Sequence, residues 1–388
     1  VKIAVVELAG KGGLIHYAFQ LCRAMAREGA DVTLLTDTNY ELTALDHPFR
    51  LQRLFNLWDP KPAEASSPPG RFRFQRVVRA MLYYREWLRL IAHLERERYD
   101  VVQFGDIRFP TDFYMLRQAR KHVRLMADVC HNVRPFAGSG LFVASNRYER
   151  IYRLFDLVFV HHDVNRDEFL TRFPELPQRV RTIVHGNEEI FRELRNPSIT
   201  PATLRKRLGL APDDQVVLFF GSLSAYKGID LLLDAFGRIA RKHPRARLVV
   251  VGPPLADFKL EQQRGEKVQI VPSYIDAGEV AAWMEMAAVV VYPYREIHQS
   301  GALQIALTLG APIVATRVGA NAEVITDGIS GLLVPPNDAA VLAEAISRLL
   351  LDRELARRIG DGARATAEDK FAWRPIARRM LEAYGGAQ

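Results

Sequence analysis

Cysteine is nearly absent from this chain: Cys22 and Cys130 are the two in 388 residues. Two thiols are too few for a disulfide scaffold or a cysteine metal site. One lies in a helical apolar pattern and the other at a strand end, so both read as small core residues, and a reducing cytoplasm is the expected compartment. No apolar run approaches the ~18 residues of a membrane span. Val1–Leu8 reads as a strand entering a glycine loop rather than as a signal peptide. Internal repeats and low-complexity tracts are missing, which sets aside solenoids and disordered tails. His161 and His162 end a strand without a carboxylate or cysteine at ligand spacing, so no metal is expected.

What is present is an ordinary globular composition, 48% hydrophobic and 25% charged, on a chain long enough for two domains. Its charge is uneven. Residues 1–185 carry 28 Lys and Arg against 21 Asp and Glu, and the remainder nearly balances. Much of the excess lies in Arg71–Arg98, after a Pro/Ser-rich stretch, where Arg alternates with Phe72, Val77, Met81, Trp87 and Leu88 at near-helical spacing. Such a helix suits peripheral contact with an anionic membrane surface; the plainer reading is a packed helix with a solvated basic face. Nucleic acid is not an expected partner, because no binding motif accompanies the charge.

The chemistry concentrates between Val289 and Val334. Val289–Tyr292 is an apolar run short enough for a buried strand, Pro293–Gln299 a loop, and a helix starts near Ser300 and ends at Gly310, with Pro312 behind it. Ile313–Thr316 is a second strand, so the segment is one βαβ unit. Loops at the carboxyl ends of parallel strands are where open α/β sheets bind ligands. Ser300 and Gly301 open the helix, and free N–H groups at a helix start suit a phosphate. Glu296 could accept hydrogen bonds from sugar hydroxyls, and Gln304, one turn inside, could reach a ribose.

At the start of the chain, Val1–Leu8, the turn Ala9–Gly13, a helical pattern to Ala26 and the strand Val32–Thr36 form another βαβ opening. Gly10 and Gly12 do not complete a dinucleotide fingerprint, since Ile15 or His16 holds the place of the third glycine.

The Val289–Val334 stretch resembles the signature of the GT-B glycosyltransferases, most closely the retaining family 4 (glycosyl transferases group 1). That signature is a Glu, a second Glu eight positions on, a small-residue helix, G-x-P-V-V-A-T and a later Glu. Here it reads Glu296, Gln304, Gly310-Ala311-Pro312-Ile313-Val314-Ala315-Thr316 and Glu323, with Gln in place of the second Glu. The resemblance implies an α/β protein of two Rossmann-like domains facing each other across a cleft. It divides the chain into 1–185, an acceptor-binding domain, 186–370, a nucleotide-sugar-binding domain, and 371–388, a terminal helix crossing back to the first domain.

It also assigns roles. Glu296 would hold donor-sugar hydroxyls and Gln304 the ribose, while Lys227 would meet the diphosphate. Ser222 stands where the family has Arg, so one of two cations is missing, and Arg295 is a candidate substitute. Tyr274 and Ile275 lie in the base-cradling loop. Gly12 and Gly13 would let the backbone approach the donor phosphates and the acceptor. His131, at a strand end, would face the donor sugar, with Arg134 and His16 toward the acceptor; for His16 a structural role is an equal alternative. The implied reaction is transfer of a sugar from a nucleoside diphosphate sugar to a sugar, glycan or lipid-linked acceptor, with retention and without metal or other cofactor. A same-fold phosphorylase, a nucleotide-sugar epimerase and a non-catalytic binding subunit are the alternatives.

Overall fold

The computed structural model describes residues 1–56, 69–105, 107, 109–133, 145–255, 258 and 266–386. Two parallel sheets organise them. In the first, β1 (Lys2–Val6), β2 (Asp31–Asp37), β3 (Arg50–Phe55), β4 (Val101–Phe104), β5 (Leu125–Cys130), β6 (Leu157–His161) and β7 (Val180–Ile183) lie in the order 3-2-1-4-5-6-7. In the second, β8 (Gln215–Phe220), β9 (Ala246–Val251), β10 (Val268–Val271), β11 (Val289–Tyr292), β12 (Ile313–Thr316) and β13 (Leu332–Val334) lie in the order 10-9-8-11-12-13. Helices follow most strands.

The strand sequences account for this arrangement. β1, β4, β5, β8, β9, β11 and β12 are dominated by Val, Ile, Leu, Phe and Ala and are almost wholly buried, as strands covered on both faces by helices must be. β7 and β10, also at sheet edges, are less deeply covered, and β3 departs furthest. Its sequence Arg-Leu-Gln-Arg-Leu-Phe is half-buried at the edge of the first sheet, and its polarity hides it from a search for apolar runs.

In each sheet the strand order reverses once, between β1 and β4 and between β8 and β11. Crevices open outside the carboxyl ends of strands at such points. The two domains turn these ends toward each other.

A terminal helix, Trp373–Gly386, returns to the first domain. Its Arg374 and Arg378 donate to the Glu28 carboxylate at 2.7 and 2.6 Å, and the buried Tyr384 hydroxyl bonds to Gln103. The interdomain segment runs beneath it: Asn187 N–H donates to the Phe371 carbonyl at 2.8 Å, and Trp373 Nε1–H to the Asn187 carbonyl at 2.7 Å. Gly186 is required there, because a Cβ would collide with the Trp373 ring.

The basic stretch forms a helix, Pro69–Glu97, that buries Trp87, Leu90 and Leu94 in the first domain. Its outer side leaves Met81, Tyr84 and Leu88 exposed at 66%, 51% and 48%. Cys22 and Cys130 are buried free thiols. Among the described residues, no helix is long and apolar enough to cross a membrane.

Candidate active site

A cavity of about 380 Å³ lies between the domains, where the two crevices meet. From the first domain it is lined by Gly12 and Gly13 after β1, His16 one turn into the helix Gly13–Arg27, and Asn132 after β5; Glu188 and Phe191 come from the interdomain segment. The second domain contributes Gly221, Ser222 and Lys227 after β8, Gly252 and Pro253 after β9, Tyr274 and Ile275 after β10, and Gln299 to Ala302 after β11. The loops after β8, β10 and β11, which carry the expected donor-side residues, all reach this space.

Ser300 ends the loop after β11 as the N-cap of the helix Gly301–Leu309, its Oγ accepting from Leu303 N–H at 3.2 Å. Tyr294 fixes that hydroxyl from behind at 3.1 Å. Capping satisfies one of the four orphan donors of a helix start. The Gly301 and Ala302 amides stand at the cavity wall with the positive end of the helix dipole.

Lys227 is buried beside that helix start. A Cβ placed on Gly221 would lie 3.4 Å from both Lys227 Nζ and the Ala302 side chain. Nζ donates to Ser222 Oγ at 2.9 Å and stands 5.8 and 5.7 Å from the Tyr226 and Tyr294 ring centres. Burial without a counter-charge pushes its pKa down to about 8. Among the described lining residues it is the only lysine or arginine. Arg295 faces elsewhere, gripping Asp230 through two bonds of 2.7 and 2.6 Å. Ser222 therefore orients the remaining cation without adding a second charge.

On the opposite wall, Glu41 organises the start of the first helix. Its Oε1 accepts from Gly12 N–H at 2.7 Å and lies 2.7 Å from His16 Nε2. The Tyr274 hydroxyl donates to the same carboxylate across the cleft, at 3.2 and 3.0 Å. Burial opposes ionisation of Glu41, but the bonds from His16, Gly12 and Tyr274 outweigh it, and its pKa falls below the usual range.

The structure places other expected residues away from the cavity wall. His131 is buried at the end of β5 with Nδ1 3.1 Å from His161 Nε2, packed edge-on against Tyr17. Burial, and then the nearby His185, push its pKa down to about 3. Its neighbour Asn132 lines the cavity instead. Glu296 is half-buried in the loop after β11 and does not line the space, whereas Ile297 and Gln299 do. Gln304 turns inward, 2% exposed, its Oε1 without a partner among the described residues. Arg134 lies outside the described residues. Glu323 spans the domains at another point: its oxygens accept from the Asp163 and Val164 amides at 3.2 and 3.0 Å, at the start of the helix Asp163–Arg172.

Comparison with known proteins places this architecture. The family model Glycosyl transferase 4-like domain matches residues 12–187, and Glycosyl transferases group 1 matches residues 214–352. The chain belongs to the GT-B glycosyltransferases. D-inositol 3-phosphate glycosyltransferase of Streptomyces bingchenggensis is 31% identical over 254 residues, covering 62% of this chain and 54% of its own length. Alpha-D-kanosaminyltransferase of Streptomyces kanamyceticus is 28% identical over 215 residues, covering 54% and 55%. The chain thus spans about half the length of the curated relatives it matches. Among solved structures, sucrose-phosphate synthase from Thermosynechococcus elongatus superposes with a TM-score of 0.70 at 23% identity, over 99% of this chain and 98% of that one. HepE of Anabaena in complex with UDP-glucose gives 0.70 at 19% identity, over 99% of both chains. At these identities the likeness establishes the fold. In this GT-B chain, Glu41 and Glu188 are the lining or wall carboxylates that sequence reasoning missed, since neither stands in a motif.

Proposed function

We propose that this glycosyltransferase-family protein moves a glycosyl unit from a nucleoside diphosphate sugar to a hydroxyl of a sugar, glycan or lipid-linked acceptor, with retention of configuration. The observation that supports this is the juxtaposition, in one cavity, of Lys227 and the Gly301–Leu309 helix start with the Gly12–Gly13–His16 wall of the other domain. Breaking the bond between the anomeric carbon and the diphosphate oxygen leaves positive charge on the sugar and negative charge on the departing phosphate. Lys227 and the helix-start amides stabilise the second of these, and a preorganised site is most effective where charge develops. The acceptor oxygen attacks from the face the phosphate leaves, and its proton passes to the phosphate oxygen. The route needs no protein nucleophile, metal or further cofactor.

The test is direct. The purified protein is offered UDP-, GDP-, ADP-, CDP- and dTDP-sugars with an acceptor panel, and the anomeric signal of the product is followed by NMR. Transfer with the donor's configuration supports the reading; inversion corrects the stereochemistry. Turnover that needs inorganic phosphate, or donor conversion without an acceptor, replaces it with a phosphorylase or epimerase.

A second reading concerns location. Met81, Tyr84 and Leu88 project outward from one basic helix, which favours a cytoplasmic protein held peripherally on an anionic bilayer. Co-sedimentation with phosphatidylglycerol vesicles, lost on Met81→Ser with Leu88→Ser, is the expected result; no sedimentation at low salt removes this reading.

A further inference from the structure

Glu188 lines the cavity where the interdomain segment passes, and the proposed reaction leaves it without a task. It is 1% exposed. Its backbone N–H donates to Thr308 Oγ1 at 2.9 Å, and its Oε2 accepts from Gln20 Nε2 at 2.9 Å. Gln20 is oriented by its own Oε1, which accepts from Ile190 N–H at 3.4 Å. The charged groups on the surrounding elements are engaged elsewhere: Arg23 with Glu193, Arg192 with Glu368 and the Thr308 carbonyl, His16 with Glu41, and Lys227 with Ser222. The second oxygen, Oε1, makes no hydrogen bond among the described residues. It lies at the open helix start, 3.9 Å from where a Cβ on Gly301 would stand. A buried carboxylate beside an anion site and lacking a cation is costly; a buried carboxylic acid is not.

We infer that Glu188 works as a neutral acid whose Oε1–H donates a hydrogen bond to a nucleoside diphosphate oxygen held at the start of the Gly301–Leu309 helix. This rests on reading the cavity as a diphosphate site. The position of the proton follows from Gln20, because the oxygen that accepts the amide N–H is the carbonyl-like one, which leaves the acidic hydrogen on Oε1. Burial, which outweighs the opposing bond from Gln20, raises the Glu188 pKa to about 8. A phosphate placed beside it repels the ionised form and raises it further. Binding of the anion is then coupled to retention of this proton.

The experiment is calorimetric titration of the full chain with UDP, GDP and ADP at pH 7, 8 and 9, in buffers of different ionisation enthalpy, for wild type and Glu188→Gln. Gln keeps an N–H donor at every pH. Lys227 also titrates near pH 8, so near that pH the wild type is expected to take up about one proton per nucleotide and the variant about half. The loss of affinity between pH 7 and pH 9 is expected to be about tenfold smaller in the variant, one ionisation having been removed from the linkage. Equal proton counts and equal pH slopes overturn the role of Glu188. Absence of nucleotide binding by wild type at pH 7 overturns the diphosphate site, and this role with it. Should Glu188→Gln not fold, the wild-type count decides: about one proton supports the role and about half, the share of Lys227 alone, overturns it.

Discussion

Two helices start at one cavity, and their surroundings differ in charge. The first-domain helix, Gly13–Arg27, is preceded by Gly12 in a positive-φ conformation (φ 89°), and the Glu41 carboxylate already sits on the Gly12 amide. The second-domain helix, Gly301–Leu309, is capped by an uncharged serine and flanked by the buried cation Lys227. Both ends carry the same partial positive charge from aligned peptide dipoles. One has its anion built in; the other has a cation and room. On the proposed reaction, the built-in carboxylate suits the first wall to neutral hydroxyls, and the cation suits the second to an anion.

The strongest way to break that comparison is to remove one charge from each side. Lys227→Ala is expected to lower turnover about a hundredfold or more, since on the proposed reaction it deletes the cation that meets the departing phosphate. Glu41→Gln keeps the hydrogen-bond geometry and is expected to cost about tenfold or less, chiefly in the acceptor KM. Steady-state kinetics with the best donor and acceptor measure both. Equal losses in kcat would mean that the two walls do not divide the substrate as proposed.

A second difference lies behind the walls. The first domain and its exit segment bury three imidazoles around Tyr17: His131, with a pKa near 3, His185, near 4, and His161, well below its ordinary value, each lowered first by burial. Each folded-state value is depressed, so the native state binds fewer protons than the unfolded chain. The stability these groups lend is complete above about pH 6.5 and is lost as pH falls toward 4 and 3. Glu188 slopes the other way: its pKa is raised, so its contribution is present below about pH 4.5 and is lost as pH rises through 8. Urea unfolding followed at pH 6.5 and 4.5 is expected to lose on the order of a few kcal/mol, and more in Glu188→Gln, where the opposing term is gone. A flat profile in both proteins would show that the imidazoles are solvated in solution.

The second domain was the more legible of the two. Its central strands β8, β11 and β12 are nearly continuous apolar runs, its key helix stops at Gly310 in the left-handed conformation (φ 70°), and Lys227 and Ser300 stand in recognisable loops. These signals are local. In the first domain, β3 lies at a sheet edge and loses its apolar signature. Glu41 acts on Gly12, 29 residues earlier, and on Tyr274, 233 residues later, while Glu188 meets Gln20, 168 residues away. No spacing rule connects such pairs. Where the motif was read and the placement differed, periodicity explains the difference. Successive residues leave a strand end on opposite sides, so Asn132 faces the cavity and His131 the interior. Residues about 100° apart on a helix diverge likewise, and Ile305 reaches the space that Gln304 does not.

The smallest expected effect joins the two walls. Tyr274 belongs to the second domain, yet its hydroxyl donates to the first-domain Glu41 at 3.2 and 3.0 Å, from a side chain that is 50% exposed. A hydrogen bond to a carboxylate in so wet a position contributes only about 1 kcal/mol, or roughly fivefold in an equilibrium. Tyr274→Phe keeps the ring that lines the cavity and removes only this link. It should therefore raise the donor KM about two- to fivefold while kcat changes less than twofold, because the phosphate end of the site does not depend on it. A tenfold loss in kcat would place the bond in the closure that aligns acceptor with donor, and the two walls would then act as one element rather than as an anion site facing a hydroxyl site.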